Sequence, residues 1–295
     1  MEQQIPFFSI IIPTYNRPQE ISACLESLSR LDYPRDQFEV IVIDDGSEIS
    51  LQPVAARFFD RLDVRLFTQP HAGPAAARNK GASQAKGKFL AFIDDDCTPI
   101  PEWLGRLTNR FAAVPNHAIG GRTLNGLPEN PYSTASQDLL DAGYTFHNPV
   151  ASQSSFFASN NLTVPTGHFR SIGGFDITFQ TSEDRDFCDR WRHHRFQMTY
   201  APEILIYHSH PMNFSAFLRC HFNYGRGAYR YHQARARRGT GRLRPDLKFY
   251  VRLISNPFTR RQGNRAFRVT MLLLISQVAN VLGFLSEALN QTKRK

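Results

Sequence analysis

The stretch KFLAFIDDD (Lys88–Asp96) decides the fold, because a short aromatic and aliphatic run breaks off into three consecutive carboxylates. An apolar run without polar alternation suits a strand buried on both faces of a sheet. Three similar runs precede it: FFSIII (Phe7–Ile12), FEVIVI (Phe38–Ile43) and DVRLF (Asp63–Phe67). Helix signals lie between them. Glu20–Leu31 sets Ile21, Cys24, Leu25, Leu28 and Leu31 on one face, with Pro18 just ahead as a helix-start residue. The Ala-rich Ala75–Ala85 joins the third and fourth strands. This alternation predicts an α/β chain with a doubly wound, mainly parallel sheet, whose ligand lies beyond the carboxyl ends of the strands.

Those ends are marked. The first strand runs into Pro13-Thr14-Tyr15-Asn16-Arg17, the second into Asp44-Asp45-Gly46-Ser47, and the fourth into Asp94-Asp95-Asp96. Neither GxGxxG nor GxxxxGK[ST] is present, which excludes ordinary dinucleotide and P-loop sites. Carboxylates cannot cradle a phosphate directly, but they hold a hard divalent cation that does, so Mg2+ or Mn2+ is expected. An isolated Asp triplet is more often a solvated turn, and Asp-Asp-Gly-Ser is itself a good turn sequence. Position favours a ligand: adjacent carboxylates repel, and a cation on a tight edge offsets the repulsion.

Further along, Asn160–Pro165 reads as a strand leaving a polar loop, followed by a short helix (His168–Ile172) and the turn Gly173-Gly174-Phe175-Asp176. Ser182 is placed to cap a helix that buries Phe187, Cys188 and Trp191 and carries Asp184 in its first turn. Acids there also complement the helix dipole without any catalytic task. His208 and His210 are two apart on an extended segment and so point the same way, and either could reach a metal.

With 295 residues, 41% of them hydrophobic, the chain can bury one substantial core and carry a smaller appendage. Its four cysteines, Cys24, Cys97, Cys188 and Cys220, are far apart with no CxxC, which argues against a zinc knuckle or a disulfide framework. Glu2 stands where a secretion signal would be positive, so a cytoplasmic protein is expected. Met1–Leu218 holds 18 basic and 24 acidic residues, whereas Arg219–Lys295 holds 17 basic and 2 acidic. Two working parts are expected, residues 1–212 and a basic helical extension, 213–295.

The ordered series SIIIPTYNRP, VIVIDDGS, GPAAARNKGA, FLAFIDDDC, IGGFD, Glu183-Asp184 and Tyr207-His208 resembles the family 2 glycosyltransferases with the GT-A fold. Each motif alone is weak, and their order carries the resemblance. It implies an inverting transfer from a nucleotide diphosphate sugar, a UDP-sugar first, to a hydroxyl of a glycan or lipid-linked acceptor. It also implies roles: Asp96 and His208 on the metal, with His210 in reserve, and Asp95 on the ribose. Pro13 and Tyr15 lie against the base, Asp45 on its edge, and Arg78 near the nucleotide. Asp184 is the general base, while Asp94, Asn161 and Glu183 are acceptor-side or supporting residues. A mixed Asp and His shell suits Mn2+, since imidazole is a poor Mg2+ ligand.

The rear half departs from a minimal family member. Arg219–Arg268 carries 13 Arg and one Lys against Asp246 alone, interleaved with aromatics such as Tyr224, Tyr231, Tyr250 and Phe267. No nucleic-acid module signature accompanies them, so the expected partner is an anionic membrane surface, with the enzyme peripheral at the inner face. Phe267–Leu289 resembles a membrane span in composition, yet its longest unbroken apolar run is Met271–Ile275. Ser276, Asn280, Gly283, Glu287 and Asn290 form one polar stripe, which predicts an amphipathic helix in the interface or packed on the enzyme or a partner subunit. Flanking Arg265, Arg268, Lys293, Arg294 and Lys295 would add attraction to anionic lipid. A nucleotide-sugar-binding module without transferase activity is the alternative, and intact Asp96, Asp184 and His208 argue against it.

Overall fold

The computed structural model describes residues 5–241 and 246–292, so Glu2, Arg242, Arg244, Lys293, Arg294 and Lys295 lie outside the described residues. The front of the chain alternates as expected: β1 (Phe8–Thr14), α1 (Pro18–Leu28), β2 (Phe38–Asp44), α2 (Gln52–Ala56), β3 (Val64–Thr68), α3 (Pro74–Gln84), β4 (Phe89–Phe92). A second group follows: β5 (Cys97–Pro99), α4 (Trp103–Ala113), β6 (Ala118–Asn125), α5 (Pro131–His147), β7 (Leu162–Pro165), α6 (Thr166–Ser171), α7 (Glu183–His193), β8 (Met198–His208). Among the described residues three helices follow, α8 (Phe214–Arg238), α9 (Leu247–Arg260) and α10 (Gly263–Thr292).

One eight-stranded sheet runs in the order β3-β2-β1-β4-β7-β6-β8-β5. The four strands expected from the sequence form its parallel half. The other half is mixed: β7 is antiparallel to β4 and β6, β8 is parallel to β6, and β5 is antiparallel to β8. Two-faced burial of the parallel strands is literal, since Ile10 and Ile12 enter one core cluster and Ile11 the other. Each such side chain contributes on the order of 1.5–3 kcal/mol. Helix α1 buries Ile21, Cys24, Leu25 and Leu28 but stops short of Leu31, because Arg30 and Leu31 donate to Ser27 and Leu28 three residues back and tighten the last turn.

The rear helices bear on two readings. The Arg-rich segment is in large part not a free basic face, because its cations pair with acids elsewhere in the chain. Arg226 and Arg230 reach Glu287 at 2.9 and 2.8 Å, and Arg238 reaches Asp186 and Asp189 of α7 at 2.7 and 2.9 Å. Arg235 adds Asp189, Arg261 pairs with Asp138, and Arg265 with Glu129. The second concerns α10, which is long and apolar enough to cross a membrane by length and composition and packs on the enzyme, one of the placements expected of it. Its stripe of Ser276, Gly283 and Glu287 is buried against α8, and its aliphatic side faces out. The reason is steric and electrostatic. Gly225 of α8 lies against the Asn280 carbonyl and Gly283 against that of Phe222, where any Cβ would overlap, and Glu287 is drawn to the two α8 arginines.

Candidate functional site

The carboxyl ends of β1, β2 and β4 converge as Tyr15, Asp45 and the Asp94–Asp96 turn. That turn is fixed by its backbone: Cys97 N–H donates to the Asp94 carbonyl at 3.1 Å and Ser209 N–H to the Asp96 carbonyl at 2.8 Å. The short β5 then pairs with β8 so that Cys97 stands opposite His208. This register brings His208 Nε2 to 3.1 Å and His210 Nδ1 to 3.0 Å of the two Asp96 carboxylate oxygens. The two imidazoles lie face to face with ring centres 5.6 Å apart. One ligand atom from each of Asp96, His208 and His210 falls within 4.8 Å of the others, an oxygen and two nitrogens that fit a small divalent cation. His208 and His210 are therefore equivalent in reach.

Arg17 completes this corner, a residue to which the sequence reading gave no role. Its guanidinium spans the pair, Nη1 to Asp95 Oδ1 and Nη2 to Asp96 Oδ2, both at 2.8 Å. Its place in the Tyr15-Asn16-Arg17 run on the ligand edge was the available signal. Burial pushes the Asp95 carboxyl up to about 7 against the opposing pull of Arg17. Asp96 is also buried, but hydrogen bonds from His208 and His210 hold it far below the usual carboxylate range. Burial alone would lower His208, and the Asp96 contact raises it instead.

Arg78, expected near the nucleotide, is a buried bridge. It is 3% exposed and forks between Asp94 Oδ1 at 2.6 Å and Glu183 Oε1 at 2.9 Å, joining the Asp triplet to the Glu183-Asp184 pair. The short side chains of Ala75, Ala77 and Ala82 let α3 pack close to the sheet, which carries Arg78 inside. Glu183 is buried and raised to about 7, with burial the largest cause and Arg78 opposing it. Half-buried Asp184 is likewise raised by burial, and its Oδ1 accepts from the Arg185 N–H at 2.7 Å.

Ser182 holds the cap position of α7, but in a left-handed conformation (φ 68°) with no side-chain cap bond. The expected hydroxyl cap is corrected. The cause is the neighbouring helix, since Thr181 donates to the Asn223 carbonyl of α8 at 2.9 Å and the Thr181-Ser182 segment lies against Gly227. Asn161 is 1% exposed and wholly internal. It accepts from Trp103 Nε1 and donates to the Arg122 and Ile204 carbonyls, so it braces α4, β6 and β8 and has no path to an acceptor.

At the ends of β1 and β2, Tyr15 is 40% exposed and stacks on His71 with ring centres 4.2 Å apart. Pro13 is buried in β1. Asp45 accepts from Gln69 Nε2 and the Ala72 and Gly73 N–H groups, and meets His71 Nδ1 at 2.9 Å. Its carboxylate thus shapes the loop ahead of α3. His71 and Gln69 escaped the sequence reading because neither lies in a recognisable motif.

Residues 9–174 match the sequence profile described as glycosyl transferase family 2. The glycosyltransferase AglE of Haloferax volcanii is 28% identical over 77% of this chain and 74% of its own length. The pre-mycofactocin glycosyltransferase of Mycobacterium tuberculosis is 32% identical over 68% of this chain but 42% of its own. Among solved structures, the mannosyltransferase PcManGT from Pyrobaculum calidifontis, in complex with GDP-Man and Mn2+, superposes with a TM-score of 0.64 at 18% identity, covering 98% of this chain and 80% of that one. Staphylococcus aureus TarS 1-349 with UDP-GlcNAc gives 0.55 at 16% identity, covering 97% and 92%. These similarities agree on the GT-A fold.

Proposed function

The chain belongs to glycosyltransferase family 2, and on that premise we propose that it moves a sugar, with inversion, from a nucleotide diphosphate donor to a hydroxyl of a glycan or lipid-linked acceptor. Residues 1–212 carry the chemistry and residues 213–295 form the helical extension. A UDP-sugar is the first choice of donor, and a GDP-sugar the next, since the solved neighbours bind UDP-GlcNAc and GDP-Man. The observation that carries the reading is the meeting of Asp96, His208 and His210 on the strand edge, bridged through Asp94 and Arg78 to Glu183-Asp184.

Asp96 with His208 or His210 would hold a divalent cation, Mn2+ before Mg2+, which supplies Lewis-acid neutralisation of the leaving diphosphate. Asp95 orients the ribose, and Tyr15 offers a stacking face for the base in place of, or beside, His71. Asp184 takes the proton as the acceptor oxygen attacks the anomeric carbon; that bond forms while the bond to the diphosphate oxygen breaks. Arg78 holds Asp94 and Glu183 as fixed charges around the reaction, so positioning and electrostatics do most of the work. The enzyme works at the inner face of a membrane, where lipid-linked acceptors are presented.

The test is release of nucleoside diphosphate from UDP- and GDP-sugars with and without chelator. Turnover should vanish in chelator and return with Mn2+; undiminished turnover in chelator would remove the metal from the reading.

A further inference from the structure

Helix α10 turns the wrong side outward for a helix of a water-soluble domain. From Met271 to Leu289 its solvent side is an unbroken aliphatic face, Met271, Leu274, Val278, Val281, Leu285 and Leu289, between 38 and 65% exposed. Apart from Val269 and Leu273, its buried residues are small or polar: Ala266, Thr270, Ser276, Ala279, Gly283 and Glu287. A contiguous apolar face of this kind marks an interaction surface. Helix α9 packs on the same small core through Leu253, and carries a second stripe of Leu247, Val251, Ile254 and Phe258, again exposed. Lys248, Arg252 and Arg268 are exposed on the same two helices.

We propose that the outward faces of α9 and α10 are a monotopic membrane-docking surface, buried in the headgroup and acyl boundary of an anionic leaflet with α10 lying flat. This deepens the reading of a membrane-face enzyme given above and rests on it. Charge selects the occupant. The exposed Lys248, Arg252 and Arg268 of these two helices would meet like charge across a contact with a second copy, whereas anionic lipid complements them. Length alone would let α10 span, but its inner side is bonded to α8 through Glu287, Arg226 and Arg230, and α8 cannot follow into hydrocarbon with its arginines.

The arrangement also orients the active site. Gly225 and Gly227 are two residues apart on α8 and so point in nearly opposite directions. Gly225 meets α10, while Gly227 meets the Thr181-Ser182 segment that leads into Glu183-Asp184. Bilayer, α10, α8 and base segment are stacked in that order. Asp184 then stands on the order of 20 Å from the docked face, about two helix diameters, within reach of a headgroup-linked acceptor.

The experiment is flotation of the full chain, at low salt, with vesicles of phosphatidylcholine alone or mixed with phosphatidylglycerol. The chain should float with the mixed vesicles. The variant Val278→Gln, Val281→Gln, Leu285→Gln should bind about a hundredfold more weakly, and Lys248→Glu, Arg252→Glu at least about tenfold more weakly. These sites are exposed, so unchanged melting temperatures confirm folding. Donor hydrolysis without vesicles is measured in parallel, which separates failure of the docking surface from failure of the glycosyltransfer reading. A chain that stays in the aqueous phase with both vesicles overturns the proposal. So does a stable wild-type dimer that the triple variant converts to monomer, since the face would then belong to a second copy.

Discussion

Arg78 Nη1 lies 2.9 Å from Glu183 Oε1, across 105 residues of sequence, and its other terminal nitrogen holds Asp94. This one guanidinium joins the Asp94–Asp96 turn to the Glu183-Asp184 pair.

Replacing Arg78 by Met leaves buried Glu183 without its cation. Losing one partner of a buried ion pair costs about 3–5 kcal/mol, and Lys should rescue little because a point charge cannot fork. Urea denaturation checks this, and an unshifted midpoint would show that the clamp carries no stability.

Asp184→Asn should lower transfer about 100-fold or more while nucleoside diphosphate affinity stays within a few-fold. Burial raises the Asp184 pKa. The carboxylate form therefore disappears as pH falls through a value above the ordinary aspartate range, and the acid limb of kcat/KM should lie there. A limb at the ordinary aspartate value points to another base.

Arg17 occupies the carboxylates that a metal would need. Arg17→Gln should therefore tighten Mn2+ binding, by roughly tenfold, as a competing cation leaves. Isothermal titration measures it; weaker binding would mean that Arg17 helps to build the site.

The two sides of α8 should separate stability from turnover. Gly227→Ala drives a Cβ into Thr181 and shifts the segment before Glu183, so turnover should fall on the order of 10- to 100-fold with a smaller change in melting temperature. Gly283→Val forces α10 off the Phe222 carbonyl and should destabilise by about 1–3 kcal/mol or more. Equal effects on both readouts would argue against the division.

His221 is 1% exposed on α8, and burial lowers its pKa to about 4. Because the unfolded chain binds that proton first, stability should decline as pH falls from about 6.5 to about 4, by roughly 1.4 kcal/mol per pH unit from this group. Comparing wild type with His221→Leu in urea across that range isolates it, and parallel curves would exclude His221 as the cause.

The parallel half of the sheet, the carboxylates at its edge and the helix carrying Asp184 were legible in the sequence, because they follow from local patterns: apolar runs, helical spacing and chain breaks. Pairing was not. The β5–β8 register that sets both imidazoles on Asp96, the burial of Arg78 beneath an Ala-rich helix, and the withdrawal of Asn161 into the core all depend on residues far apart in the chain. The polar stripe of α10 was likewise visible as a stripe, but periodicity gives a helix two faces without saying which is covered. Only the close approach at Gly225 and Gly283 and the two arginines waiting for Glu287 turned that stripe inward and left the aliphatic face outside.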